Sequence, residues 1–367
     1  MRASVSKLFM AASALVLAAS AAQAQESKVL NVYNWSDYIA PDTIERFTQE
    51  TGIRVNYDVY DSNEILDAKL IAGNSGYDVV FPSASPFLAR QIESGVYQKL
   101  DKAKLGNIGN LQEQVMKSLE KSDPGNQFAV PYMIAPTGFA FNVAKIRELV
   151  PDAPTDSWAM LFDPKVAEKL KGCGMTLLDD PTEVFPAALA YLGKDPTSLE
   201  RDDLDAAADA VMKIRPMLKY IHSSSYINGL ANGDICIAHG YGGDLIQARD
   251  RAAESGQGVE IQVVVPKEGA QVVVDVMAVP KDAPNPENAL TFINFMMRPD
   301  VVGPITNEVG YANAVKGSEE FVSEERKADP VIYPPQEVAD KFFVAPAAPQ
   351  SYDRLRTRAW TRIKTRY

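Results

Sequence analysis

Histidine is almost missing from this sequence: His222 and His239 are the only two in 367 residues. Cysteine is equally sparse, with Cys173 and Cys236 alone. That scarcity excludes zinc sites built on C-x-x-C or H-E-x-x-H spacing. There is no G-x-S-x-G nucleophile elbow. Gly240-Tyr241-Gly242-Gly243 lacks both the Lys and the spacing of a phosphate-cradling loop. Ser118-Leu119-Glu120-Lys121 fits an S-x-x-K pattern, but it lies in a polar helical stretch without a partner motif. No catalytic set, metal or cofactor is therefore expected. Positive charge is also short, with 37 Lys and Arg against 48 Asp and Glu, a formal net charge of −11. Such a surface disfavours nucleic acid and favours a cationic partner, although solubility alone would give the same sign.

Long apolar runs are confined to the start. Arg2 and Lys7 make a short basic segment ahead of an apolar stretch, Leu8 to Ala18, and Ala22-Gln23-Ala24 has the small-x-small form of a cleavage site. This reads as a secretory signal over residues 1–24, too short to be a membrane span. No Cys stands near the cut, so a soluble exported protein is expected, held in the periplasm. Loss of Arg2 and Lys7 takes the formal charge from −11 to −13. Two cysteines in an oxidising compartment read as one disulfide, with two buried thiols as the alternative.

Residues 25–367 are too many for one comfortable core, so two lobes are expected. Val29–Tyr33, Val55–Val59 and Tyr77–Phe81 read as strands. Asp42–Glu50, Glu64–Ala72 and Phe87–Ser94 read as helices between and after them. This alternation predicts a doubly wound α/β lobe. A second set follows, with strands at Gln127–Val130, Gly138–Asn142, Met175–Leu178, Ile235–Ala238, Val259–Val265 and Val272–Val279. Helices are predicted at Val184–Leu192, Asp202–Lys213, Asn285–Met297 and Tyr352–Lys364. The absence of a long linker implies that the chain crosses between lobes more than once.

Ligands of α/β sheets bind beyond the carboxyl ends of strands. There the sequence places Trp35-Ser36-Asp37-Tyr38, a carboxylate between aromatic rings. A cation needs both: the carboxylate for charge, the rings for cation–π contact and methylene packing. Similar pieces follow other strands: Ser83; Asp180 and Glu183; Tyr241 and Asp244; and Tyr311 beyond a helix. Each has a structural alternative, as a turn former, helix cap or core ring. Asp275 is different. It interrupts an apolar strand, where no cap or turn explains it.

Several longer stretches carry a resemblance. They include Val32-Tyr33-Asn34-Trp35-Ser36-Asp37-Tyr38-Ile39-Ala40-Pro41, Asp61-Ser62-Asn63-Glu64, His222-Ser223-Ser224-Ser225-Tyr226-Ile227, Leu230-Ala231-Asn232-Gly233-Asp234-Ile235-Cys236 and Arg356-Thr357-Arg358-Ala359-Trp360-Thr361. The chain resembles the polyamine-binding receptors of ABC importers, especially those for putrescine. The resemblance implies a two-lobed type II periplasmic binding protein fold, α/β in both lobes, closing on a hinge. Lobe 1 is then expected over 25–134 plus about 252–300, and lobe 2 over about 135–251 plus 301–367. It implies that Ser36, Asp37, Ser83, Glu183, Ser223, Asp244 and Asp275 hold ammonium groups. Trp35, Tyr38, Tyr241 and Tyr311 would wall the methylenes, and Cys173 would pair with Cys236. The implied partners are a small cationic ligand, putrescine or spermidine, and an inner-membrane permease; a monomer suits the task.

Three positions depart from the putrescine-type pattern. Tyr241 stands where Trp is usual, Val273 where a bulky aromatic is usual, and Asp180 where a small apolar residue is usual. Pro86 is an extra residue. A wider site with one more carboxylate would suit a longer amine such as spermidine; a solvated Asp180 would leave putrescine as the ligand.

Overall fold

The computed structural model describes residues 27–365, so the signal segment predicted at residues 1–24 lies outside the described residues. Strands β1 (Val29–Trp35), β2 (Arg54–Tyr60) and β3 (Val79–Val80) are parallel, with β1 in the middle. Leu30 and Val32 of β1 bury one way, Tyr33 the other, as the period of two requires. The helix Thr43–Thr51 stops at Gly52, whose φ of 71° is a left-handed stop that glycine tolerates best.

Two predicted strands, Gln127–Val130 and Gly138–Asn142, are in fact parts of a single one. β4 runs unbroken from Ala129 to Asn142. Pro131 and Pro136, which lack the N–H a central strand donates, lie within it. The strand absorbs the first at a register shift and the second where it changes partner. Its first half pairs antiparallel with β9 (Val272–Ala278). Its second half pairs antiparallel with β7 (Ile237–Tyr241) and β8 (Ile261–Val264). Beyond β7 lie β5 (Met175–Leu177) and β6 (Leu218–Ile221), both parallel to their neighbours, while β10 (Ala312–Asn313) pairs with the first half of β4. The ladder order is β2-β1-β3-β9-β4-β7-β5-β6.

Two large hydrophobic cores lie along this ladder. The first gathers Leu30, Phe47, Phe81, Tyr132, Met277 and Phe292; the second gathers Phe139, Trp158, Leu177, Val211 and Ile237. The predicted lobe boundaries need two corrections. Lobe 1 does not end near residue 300: helix Pro299–Val309 continues from helix Pro286–Met296 and buries Val301, Val302, Ile305 and Val309 in the first core. Conversely, β8 puts Ile261 and Val264 into the second core rather than the first, because its ladder partner is the far half of β4. The C-terminal helix Gln350–Thr365 packs Ala359, Trp360 and Ile363 into the second core.

Cys173 and Cys236 form a disulfide with Cα atoms 5.4 Å apart, tying the approach to β7 to the turn before β5. Pro86 falls in a wide turn closed by Leu88 N–H donating to Ser83 O at 3.0 Å. The following helix is shorter than predicted, Ala89–Glu93. Among the described residues, no helix is long and apolar enough to cross a membrane.

Candidate ligand-binding cleft

A cleft with an empty volume of about 550 Å³ opens between the two cores. Its first wall comes from the end of β1, the loop after β3, and β9. Asp275 sits mid-strand and only 6% exposed. Tyr38 Oη donates to its Oδ2 at 2.7 Å and Ser83 Oγ to its Oδ1 at 2.6 Å. Ser83 is itself fixed by Asn63, whose Nδ2 donates to Ser83 Oγ at 3.0 Å. Ser36 Oγ donates to Asp61 Oδ1 at 2.8 Å. This side is thus a chain of donors aimed at carboxylates, which lowers the cost of burying charge.

The opposite wall comes from helix Pro181–Tyr191, the turn before helix Tyr226–Ala231, and the start of helix Gly242–Ser255. Glu183 lies in the first turn of its helix, 3% exposed. Gln271 Nε2 donates to its Oε1 at 2.5 Å, while Oε2 has no protein partner. Asp244 is held across the cleft. Tyr226 Oη, from its own side, donates to Oδ2 at 2.7 Å; Tyr311 Oη, from the first core, donates to Oδ1 at 3.0 Å. Ser223 lines the wall and accepts from the Asp179 N–H at 3.1 Å.

Aromatic rings close the sides. Trp35 packs against Tyr60 with centroids 4.7 Å apart and meets the edge of Tyr241 at 6.2 Å. Trp35 Nε1 donates to Phe81 O at 2.8 Å, which fixes the indole plane. Tyr38 and Tyr311 meet edge to face at 5.2 Å.

Electrostatically, the cleft asks for positive charge. Burial pushes Asp275 up to about 6, with Ser83 and Tyr38 partly countering it. Burial pushes Asp244 up to about 7, against the pull of the Tyr226 and Tyr311 hydroxyls. Glu183 is raised well above the ordinary carboxylate range by burial and then by the charge of Asp180. A cation between these groups would reverse all three shifts, since an opposite charge favours the ionised form.

Ten of the predicted site residues line the cleft: Trp35, Ser36, Tyr38, Ser83, Glu183, Ser223, Tyr241, Asp244, Asp275 and Tyr311. Two do not. Asp37 takes a φ of 54°, which turns its side chain out of the cleft. It pairs instead with Arg251 at 2.8 Å, joining the first core to helix Gly242–Ser255. Asp180 is buried behind the wall, where Oδ1 caps its own helix by accepting from Thr182 N–H at 2.8 Å. Sequence reasoning missed Tyr60, Asp61, Asn63, Ala135, Ser224 and Ile227, which also line the cleft. Asp61 and Asn63 directly follow β2, so the strand-end rule could have found them. Ile227 carries no comparable signal. Neither histidine is in the cleft: His239 is buried in the second core against Trp158, and His222 Nδ1 accepts from the Ser224 N–H at 3.1 Å. No group of three or more His, Cys, Asp or Glu among the described residues is placed to hold a metal ion.

Two α/β cores facing each other across a carboxylate-lined, aromatic-walled cleft define a receptor architecture for a small cation. The family of bacterial extracellular solute-binding proteins matches residues 42–334. The chain is 52% identical to the putrescine-binding periplasmic protein SpuD of Pseudomonas aeruginosa strain UCBPP-PA14, over 96% of this chain and 97% of that one. It is 50% identical to the putrescine-binding periplasmic protein PotF of Escherichia coli K12, over 96% of each. Among solved structures, the spermidine/putrescine ABC transporter substrate-binding protein PotD of Streptococcus pneumoniae superposes with a TM-score of 0.73 at 28% identity, covering 92% of this chain and 99% of that one. The chain belongs to the bacterial extracellular solute-binding proteins and has their type II two-lobed fold.

Proposed function

We propose that this protein is the periplasmic receptor of a polyamine ABC importer and that it holds putrescine in the cleft between its cores. The observation that carries the reading is the pairing of buried carboxylates on opposite walls, Asp275 on one and Glu183 with Asp244 on the other, with aromatic sides between them. A diamine at neutral pH has a charge at each end and methylenes in the middle. The opposed carboxylates match the ends and Trp35, Tyr38, Tyr241 and Tyr311 match the middle. An amino acid would set its own carboxylate against an aspartate, so the same charges select against it.

The two cores act as lobes that close on ligand, with β4 as one crossing segment. Without ligand, the facing carboxylates repel across a wet cleft. A dication removes that repulsion, binds the closed form better and shifts the population toward it. The permease then reads the closed shape. The signal segment at residues 1–24 delivers the receptor to the periplasm, where it works as a monomer.

The alternative ligand is a longer amine such as spermidine, because Val273 is a small residue of the cleft wall and also lines a neighbouring cavity. Calorimetric titration of the ligand-stripped mature protein with putrescine, spermidine, cadaverine and agmatine decides the matter. Tight one-to-one binding with putrescine ranked first supports the reading. Spermidine ranked first transfers it to the longer amine, and no heat with any of the four overturns it.

A further inference from the structure

Asp180 is buried to 1% exposure, yet it does not line the cleft. Its two oxygens are divided. Oδ1 accepts from Thr182 N–H at 2.8 Å and from Thr182 Oγ1 at 2.6 Å, capping helix Pro181–Tyr191. Oδ2 accepts from Tyr241 Oη at 3.3 Å. Tyr241 is the cleft residue whose ring meets Trp35, and its backbone N–H donates to Tyr226 Oη at 3.1 Å. The phenol therefore has Asp180 as its hydrogen-bond partner, while the ring lines the cleft.

We infer that Asp180 is a positioning residue for the aromatic wall: it anchors the Tyr241 hydroxyl outside the cleft, so that the ring stays opposed to Trp35. Resting on the polyamine reading, this names the element that sets how closely the wall fits a methylene chain. The physical reason is simple. A tyrosine lining an acidic cleft has a competing option, which is to swing its hydroxyl toward a cleft carboxylate. A buried acceptor behind the wall removes that option, because leaving either partner unpaired is costly. The same carboxylate ties the end of β7 to the helix that carries Glu183, so wall and charge are held in one register.

The test uses the mature protein with four variants: Asp180→Ala, Asp180→Asn, Tyr241→Phe and the Asp180→Ala/Tyr241→Phe double. Asparagine can still cap the helix with its oxygen and can donate its amide to the phenol oxygen, so it preserves the tether without the charge. Titration with putrescine should show Asp180→Ala and Tyr241→Phe each weakened about tenfold, the magnitude of one lost hydrogen bond. The double should be no weaker than either single, because both remove one interaction. Asp180→Asn should recover most of the loss. If Asp180→Asn is as weak as Asp180→Ala while Tyr241→Phe binds normally, Asp180 acts on the ligand through its charge and the inference falls. Selective loss of spermidine binding in Asp180→Asn overturns it equally. So does a lower melting temperature of Asp180→Ala with unchanged affinity, which leaves only the helix cap. Should Asp180→Ala fail to fold, Tyr241→Phe against Asp180→Asn carries the same contrast. Independently of any ligand, a crystal structure of Asp180→Ala should show Tyr241 in a new rotamer; an unmoved ring overturns the inference even if the polyamine reading fails.

Discussion

The two walls of the cleft solve one problem differently. On the first wall, Asp275 receives both its hydroxyl donors, Tyr38 and Ser83, from its own core. That arrangement does not depend on the other lobe. On the second wall, Asp244 receives one donor from its own side and one, Tyr311, from the opposite core. Glu183 keeps one oxygen without a protein partner. The first wall is therefore preorganised, and the second is completed by closure and by ligand. A ligand meeting the first wall first would find a finished half-site, and its far end would draw in the second.

The largest effect should come from the finished half-site. Asp275→Asn keeps the shape but removes the charge that meets an ammonium group. Losing a buried charge-assisted pair costs roughly 2–4 kcal/mol, so affinity for a diamine should fall by about thirtyfold to a thousandfold by calorimetry. Meanwhile the unliganded variant should be at least as heat-stable as the parent, because a buried carboxylate has gone. Near-normal affinity would mean that the two walls are not divided in this way.

The next effect is on closure. Tyr311→Phe removes the hydroxyl that reaches Asp244 from the other core, whereas Tyr38→Phe removes one from the same core. Each should weaken binding by about 1–2 kcal/mol. Only Tyr311→Phe should also enlarge the radius of gyration of the liganded protein in small-angle scattering. Equal scattering for the two variants would erase the distinction.

Both walls should respond to pH, at different points. Asp275 is raised to about 6 and Asp244 to about 7, chiefly by burial. Raised carboxylates hold protons in the fold that the unfolded chain releases. Their contribution to unliganded stability is therefore full below the ordinary carboxylate range and is lost as pH rises through those two values. A dication needs the ionised forms, so its affinity should rise over the same window, by up to about tenfold per pH unit for each group still protonated, and Glu183, held well above the ordinary carboxylate range by burial, should extend the rise. Calorimetry at pH 6.5 in buffers of different ionisation enthalpy should show protons released on binding. Asp244→Asn should remove the part of the rise that reaches to about 7. A flat affinity from pH 5.5 to 8 would exclude the coupling.

The first wall was also the more legible one in the sequence. Trp35, Ser36 and Tyr38 follow a clean strand, and Asp275 breaks an apolar one, so their types and places already pointed to a cation. What the pattern could not give was direction. Asp37 has the right charge beside the right rings, but a left-handed backbone turns it outward. Asp180 has the right charge near Glu183, but the need to cap its own helix consumes one oxygen and Tyr241 takes the other. The first is a local backbone decision that residue type does not encode; the second is the helix-cap alternative that the residue type already allowed. The lobe boundaries erred for a different reason. Membership of a core follows ladder partners, and β4 serves both cores through one continuous strand.

The smallest expected effect tests an ion pair that joins the walls from outside the cleft. Arg251 Nη2 lies 2.8 Å from Asp37 Oδ1, with the two side chains 35% and 42% exposed. Gln247 Nε2 adds a hydrogen bond to Asp37 O at 3.2 Å, so Asp37 meets two residues of one helix. A pair this open to water is worth about 0.2–1 kcal/mol and is screened by salt. Arg251→Ala should therefore weaken ligand binding by no more than about fivefold in low salt. The gap between variant and parent should narrow at high salt. The loss should appear in the dissociation rate rather than the association rate, because the pair forms only as the lobes meet. A loss as large as that of Asp275→Asn would place Asp37 back among the groups that hold the ligand, and the outward turn at its backbone would then belong to only one of the conformations the receptor uses.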